Sequence, residues 1–260
     1  AFGDADVDGL PDLFVTHLTE EFHALYRQDR PGWFMDGVAM AGLQQQKWRG
    51  TGFGAVMEDF DADGWPDLVF VNGLVRRATP GQEPVLPGLD PWWARYAQRS
   101  QVFAGTGGGR FVDRSLDNPA FCGRAQVGRS LAMGDLDGDG APDLVTGTAG
   151  GSVRLFRNVA RRPGHHRVRL RLIDPAAGNR DMIGAEVSVM TDSKTRWGLL
   201  QPATSYLSSH EPVVCLGLST NAGPVRVRVS WPSGDREVFE NVPVDRTTTL
   251  ERGKGTKEGG

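Results

Sequence analysis

The sequence predicts an all-β protein, and three observations carry that prediction. The pattern D-x-D-x-D-G-x-P-D occurs three times, at residues 4–12, 59–67 and 135–143, each time between two short segments of strand-like composition. Beyond residue 165 the segments HRVRLRLID, AEVSVMT, VRVRVSW and TTTLER alternate apolar and polar side chains, as half-buried antiparallel strands do. Glycine (35) and proline (16) are frequent enough in 260 residues to supply many tight turns, and 39% of the residues are hydrophobic.

The elements follow in order. AFG, AVME and LAMG precede the three acidic loops, and LFV, LVFV and LVT follow them, all short and apolar. Each unit therefore reads strand, loop, strand. A second landmark recurs downstream: Leu25-Tyr26-Arg27-Gln28, Val102-Phe103-Ala104-Gly105 and Leu155-Phe156-Arg157-Asn158. Its spacing from the loop's first aspartate is regular to within one residue, apart from an insertion of about 22 residues within 73–99 of the middle unit. That register makes FHALYRQ a strand, although TEEFHALYRQ has helix-compatible apolar spacing. GTGGGR (105–110) and GTAGGS (147–152) read as turns, and ARRPG (160–164) as a linker. The expected boundaries are 1–160 for the repeat region, 161–252 for a second β domain and 253–260 for a disordered tail. Trp231 is expected to plug the core of the second domain. Cys122 and Cys215 are expected as two buried thiols rather than a disulfide.

The loops point to a hard cation. Asp4, Asp6, Asp8 and Asp12, then Asp59, Asp61, Asp63 and Asp67, then Asp135, Asp137, Asp139 and Asp143 account for 12 of the 22 aspartates. A merely acidic surface would not hold them at fixed spacing. Calcium takes six to eight oxygens, and carboxylates at alternate positions of a curled loop converge on one point. Glycine at the sixth position permits the sharp turn, and the seventh residue (Leu10, Trp65, Ala141) offers its carbonyl. An EF-hand would need a bidentate glutamate at position 12 and flanking helices, but that position holds Val15, Phe70 and Thr146. The EF-hand reading fails. About three calcium ions are expected, one per loop, bound weakly enough to suit millimolar calcium outside the cell.

These residues resemble a known family. The D-x-D-x-D-G-x-x-D loops with their LYRQ or LFRN strands are similar to FG-GAP/VCBS-type repeats, which form β-propeller blades. NRDMIGAEVSV (179–189), SYLSSHEP (205–212), VCLGLS (214–219) and VSWPSGDREVFENV (229–242) resemble the ASPIC/UnbV domain of cartilage acidic protein and its bacterial relatives. The resemblance implies a partial β-propeller followed by a small antiparallel β-sandwich-like domain. A closed propeller of this kind would need about seven blades, and three loops are visible. Either the remaining blades lie elsewhere, or the blades form an open array whose ends need a partner or a cap.

Composition and motif searches narrow the function. No apolar run approaches the ~20 residues of a membrane span. No leader-like pattern opens the chain, which begins inside a repeat, as a mature chain or a fragment would. With the twelve loop aspartates set aside, 29 basic residues face 20 acidic ones, but the basic residues are scattered and no nucleic-acid module appears. None of the five histidines is at H-x-x-x-H spacing, and neither a G-x-S-x-G elbow nor a P-loop is present. The expectation is a non-enzymatic calcium-binding protein, extracellular, cell-surface or periplasmic, acting in adhesion or in binding a protein or glycan ligand. The family resemblance also implies an accessory or catalytic role in bacterial secondary metabolism of the enediyne type. A carbohydrate-binding module is the third class, for which the insertion supplies Trp92, Trp93, Arg95 and Tyr96. The same aromatics would otherwise fold back over the scaffold.

Overall fold

The computed structural model describes residues 1–75, 89–191 and 194–258. The repeat region forms three antiparallel sheets whose strands pair in chain order. The first holds β1 (Phe2–Gly3), β2 (Asp12–Val15), β3 (Ala24–Arg30) and β4 (Trp33–Asp36). The second holds β5 (Gly52–Glu58), β6 (Asp67–Asn72), β7 (Gln101–Gly107) and β8 (Arg110–Asp113). The third has three strands, β9 (Gly128–Gly134), β10 (Asp143–Thr148) and β11 (Arg154–Phe156). The segment of helical spacing is indeed a strand, with Tyr26 of β3 opposite Leu13 of β2.

Strand β6 shows why the sheets stack as blades. All six of its residues are buried, and successive side chains leave on opposite faces. Leu68 and Phe70 join Phe14, Leu25, Phe103 and Phe111 in the core shared with the first blade. Val69 and Val71 join Phe121, Leu131 and Leu144 in the core shared with the third. At about 1.5–3 kcal/mol for each large apolar side chain fully buried, these two layers hold the blades together. The first strands, β1, β5 and β9, lie next to one another at the hub of the fan.

The C-terminal domain is a two-sheet sandwich. Its strands are β12 (His166–Asp174), β13 (Arg180–Asp181), β14 (Glu186–Met190), β15 (Thr195–Leu199), β16 (Val214–Ser219), β17 (Val225–Ser230), β18 (Arg236–Val242), β19 (Thr247–Glu251) and β20 (Thr256–Lys257). One sheet runs β13-β12-β16 with β19 parallel to β12, and the other runs β15-β14-β17-β18-β20. Valines and leucines alternating along β12, β14 and β17 fill the space between the sheets, together with Trp231, which is buried as its position predicted.

One expected boundary needs correcting. The tail expected to be disordered from residue 253 is ordered through residue 258. The nearly buried carboxylate of Glu237 accepts the backbone N–H groups of Gly253 and Gly255, and Thr256 pairs with Val238. A buried acceptor that needs donors thus holds a segment whose composition alone reads as mobile. Residues 259 and 260 lie outside the described residues.

The second domain caps the fan. Met133 of β9 donates its N–H to His210 Nδ1 and receives the N–H of Glu211 (3.2 and 2.9 Å), while Ala55 of β5 donates to Ser205 Oγ (3.1 Å). The segment 205–211, within the SYLSSHEP stretch, therefore satisfies edges of the inner strands. Phe2 meets Trp197 edge to face with centroids 6.0 Å apart, which brings the first blade into the same contact. The inner strands β5 and β9 thus find hydrogen-bond partners in the chain's own second domain.

Candidate metal centre

Each acidic loop joins the first two strands of its blade, β1 to β2, β5 to β6 and β9 to β10. The three are folded by nearly the same hydrogen bonds, the third differing by one residue in a single donor. The first-position aspartate curls the loop around itself: Asp4 accepts the N–H groups of Asp8 and Gly9, Asp59 those of Asp63 and Gly64, and Asp135 those of Gly138 and Gly140. The fifth-position aspartate accepts the N–H two residues on, at Leu10, Trp65 and Ala141 (2.8, 2.9 and 2.9 Å). At the sixth position Gly9, Gly64 and Gly140 have φ of 92°, 94° and 86°, the left-handed region that the sequence pattern called for. The fourth position is also left-handed. Gly138 tolerates this, but Val7 and Ala62 hold φ of 61° in the same place, a conformation that costs non-glycine residues energy.

The ninth-position aspartates do more than their spacing announced. One oxygen closes the loop by accepting the second-position N–H, at Ala5, Phe60 and Leu136. The other accepts the N–H of the landmark's fourth residue, Gln28, Gly105 and Asn158, at 2.8, 2.9 and 2.7 Å. The recurring LYRQ, VFAG and LFRN stretches are thus tied to the loop by the aspartate itself.

The donor set fits a calcium ion. Carboxylate oxygens of Asp4, Asp6 and Asp8 lie within 4.8 Å of one another, as do those of Asp59, Asp61 and Asp67 and those of Asp135, Asp137 and Asp143. Oxygens about 2.3–2.6 Å from a shared ion can be no more than ~5 Å apart, so these separations suit one ion per loop. Asp12, Asp63 and Asp139 stand outside these groups. Oδ1 of Asp6 is buried with no hydrogen-bond partner among the described residues. Burial pushes the carboxyls of Asp4 and Asp12 up to about 6, Asp59 to about 7 and Asp67 to about 8. Neighbouring loop aspartates raise all four further, against the pull of backbone N–H groups. Such a set is held apart from full ionisation until a cation compensates it.

Arginines scattered along the sequence are brought together around the loops. Arg27 pairs with Asp6, Arg162 with Asp61 and Asp63, and Arg157 with Asp137 and Asp139. From the second domain, Arg196 donates to the Gly64 carbonyl (2.5 Å), Arg167 to the Phe60 carbonyl (3.2 Å), and Arg169 lies 3.6 Å from Asp135 while donating to both oxygens of Glu211. The signal for Arg27 and Arg157 was present, since both are the third residue of the landmark. For the others no local signal exists.

Between the first two blades and the second domain lies a half-open cavity of about 120 Å³. Met57, Glu58, Trp197, Leu199, His210 and Cys215 are among its lining residues. Glu58 is surrounded by protein yet keeps accessible surface, because that surface faces the cavity. Burial raises its carboxyl to about 8. The thiols of Cys122 and Cys215 are free and buried, each pushed up to about 12 by desolvation.

The insertion's aromatic cluster is divided. Residues 76–88 of it lie outside the described residues. Trp92 and Trp93 sit on α1 (Pro91–Ala94), where Asp90 caps the Trp92 N–H. Trp92 is half-exposed with the Arg95 guanidinium 5.3 Å from its ring, whereas Trp93 packs against Gly150, leaving no room there for a Cβ. Tyr96 lies beside Trp93, with centroids 6.3 Å apart.

Blades carrying acidic loops, capped by a β-sandwich, define a repeat-built all-β protein with candidate metal loops. Comparison with known families is specific about both parts. Residues 127–160 match the FG-GAP repeat, and residues 175–257 match the family described as ASPIC and UnbV. The chain therefore carries an ASPIC/UnbV domain behind an FG-GAP repeat, and its first two blades repeat the ninth-position aspartate bonds of the matched one. No curated protein is significantly similar to the chain. Among the described residues no helix is long and apolar enough to cross a membrane.

Proposed function

We propose that the chain is a calcium-stabilised, non-enzymatic binding protein that works outside the cytoplasm, in adhesion or in holding a protein or glycan ligand. The observation that carries this reading is the threefold recurrence of one loop fold whose oxygens are spaced for a single calcium ion. Calcium binding the folded loop alone would stabilise the protein by mass action, and no step of chemistry is assigned to it. Asp4, Asp6 and Asp8, then Asp59, Asp61 and Asp67, then Asp135, Asp137 and Asp143 are the ligands proposed, with Asp12, Asp63 and Asp139 supporting them and Leu10, Trp65 and Ala141 offering carbonyls.

A thermal melt in millimolar calcium, in magnesium and in chelator, with a metal count per chain, tests the reading. A calcium-specific rise with about three ions bound is the expected result. Absence of both would remove the metal from the account.

A second reading, an accessory or catalytic protein of bacterial secondary metabolism, draws support from the cavity beside Glu58. A benzene-sized guest fits a cavity of this order. A panel of small polar aromatics screened by calorimetry against the wild type and Glu58→Gln would separate it from the first. Binding lost in Glu58→Gln favours it, and no binding by any of the panel removes it.

A further inference from the structure

Every loop already has a cation resting on it. Arg27 holds Asp6 of the first loop. Arg162 places Nη2 2.6 Å from Asp61 Oδ2 and Nη1 3.3 Å from Asp63. Arg157 places Nε 2.5 Å from Asp137 Oδ2 and Nη2 3.1 Å from Asp139. In all three the guanidinium takes the third-position carboxylate, and in two it takes the fifth as well.

The origin of these arginines matters. Arg27 and Arg157 are delivered by the landmark, each being its third residue. The middle landmark has Ala104 at that place, and there the guanidinium comes instead from the linker between the domains. The same charge reaches the same carboxylate from two unrelated parts of the chain, so strand register alone does not explain it.

We propose that Arg27, Arg162 and Arg157 set the calcium affinity of their loops by competing with the ion for the third-position aspartate. The inference rests on the calcium reading above. A guanidinium and a calcium ion draw on the same carboxylate lone pairs, so one must yield them to the other. Once displaced, the arginine still repels the ion, and the repulsion is stronger where less water intervenes. The side chains of Asp6, Asp61 and Asp137 are 8%, 16% and 37% exposed, which ranks the effect first loop, second loop, third loop. In the third loop ordinary salt screens it further. In the second loop the ion's arrival also releases the linker.

Calorimetric calcium titrations of the wild type and of Arg27→Gln, Arg162→Gln and Arg157→Gln, each with a metal count, test this. Arg27→Gln is expected to tighten one site by roughly tenfold or more, and Arg157→Gln by less than about threefold. Arg27→Lys, which keeps the charge, should stay near the wild type. In the wild type, calcium should speed tryptic cleavage after Arg161, and Arg162→Gln should abolish that acceleration. Equal or weaker calcium binding by Arg27→Gln with an unchanged near-UV spectrum, in a wild type that binds calcium, overturns this inference and leaves the calcium reading standing. No bound calcium in the wild type or in any variant overturns both.

Discussion

Gly217 of β16 lies so close to Asp59 that a methyl group on its α-carbon would overlap the carboxylate, with the backbone of Ala62 just behind. The second domain is therefore seated directly on the first residue of the middle loop. Gly217→Ala should cost about 1–3 kcal/mol, since neither the buried aspartate nor the backbone can move aside. Gly223→Ala, where a Cβ meets nothing, is the control and should leave the urea midpoint unchanged.

The two kinds of loop aspartate should separate in a melt. Asp12→Ala leaves the N–H groups of Ala5 and Gln28 without their acceptor. A loss of about 2–5 kcal/mol is expected for two such donors, and added calcium should not restore it. Asp8→Ala removes only the acceptor for the exposed Leu10 N–H. It should cost about 1 kcal/mol in chelator but abolish part of the calcium-induced rise.

Val7 holds a left-handed backbone that glycine occupies in the third loop. Relief of about 1–2 kcal/mol of strain, offset by the greater chain entropy of glycine, gives Val7→Gly a net gain of about 0.5–1 kcal/mol in chelator. Unchanged or lowered stability would show that the side chain's packing outweighs the strain.

The pH response of the metal-free protein has a definite sign. Asp59, Asp67 and Glu58 have carboxyls raised by burial to about 7, 8 and 8, so the folded state binds more protons than the unfolded one until those values are passed. Their contribution is complete below pH 4 and is lost as the pH rises to 8. His23 and His210, lowered by burial to about 4, act in the opposite direction but only below about 6.5. The Ala1 amine, lowered to about 6, opposes between 6 and 8. Asp4 and Asp12, raised to about 6, act in the same direction as these acids but mostly below pH 6.5, so Asp59, Asp67 and Glu58 against the one amine should make the chelated protein less stable at pH 8 than at pH 6.5. Saturating calcium, which needs the ionised carboxylates, should reverse that order in urea titrations at the two pH values.

The sequence carried the blades well because their information is local. Strand–loop–strand order, the glycine turns and the strand assignment of FHALYRQ depend on spacing that repeats within the chain. It carried the candidate ligands for the same reason. What it could not carry is what a loop residue touches outside its own loop. Asp12, Asp67 and Asp143 have the spacing of ligands like the rest, and only the neighbouring strand shows that each also ties its loop to the landmark; of the three, Asp12 alone stands outside its converging group. Arg162 gave no signal because it lies in the linker and its partners, about a hundred residues away, belong to the middle blade. The tail at 253–258 misled for a related reason: its glycines and lysines suggest freedom, but Glu237 lies on a different strand. The sequence around the insertion's tryptophans suits display and packing equally, and the pair splits, Trp92 half-exposed and Trp93 against Gly150.

The stretch 159–164 that connects the two halves is exposed throughout, whereas the contacts that join them come from residues 196–219 and from β12. Covalent continuity is therefore not what keeps the halves together. A molecule nicked after Arg161 would run as two fragments under denaturing conditions and as one particle otherwise. Expressed separately, the halves should find each other as partners.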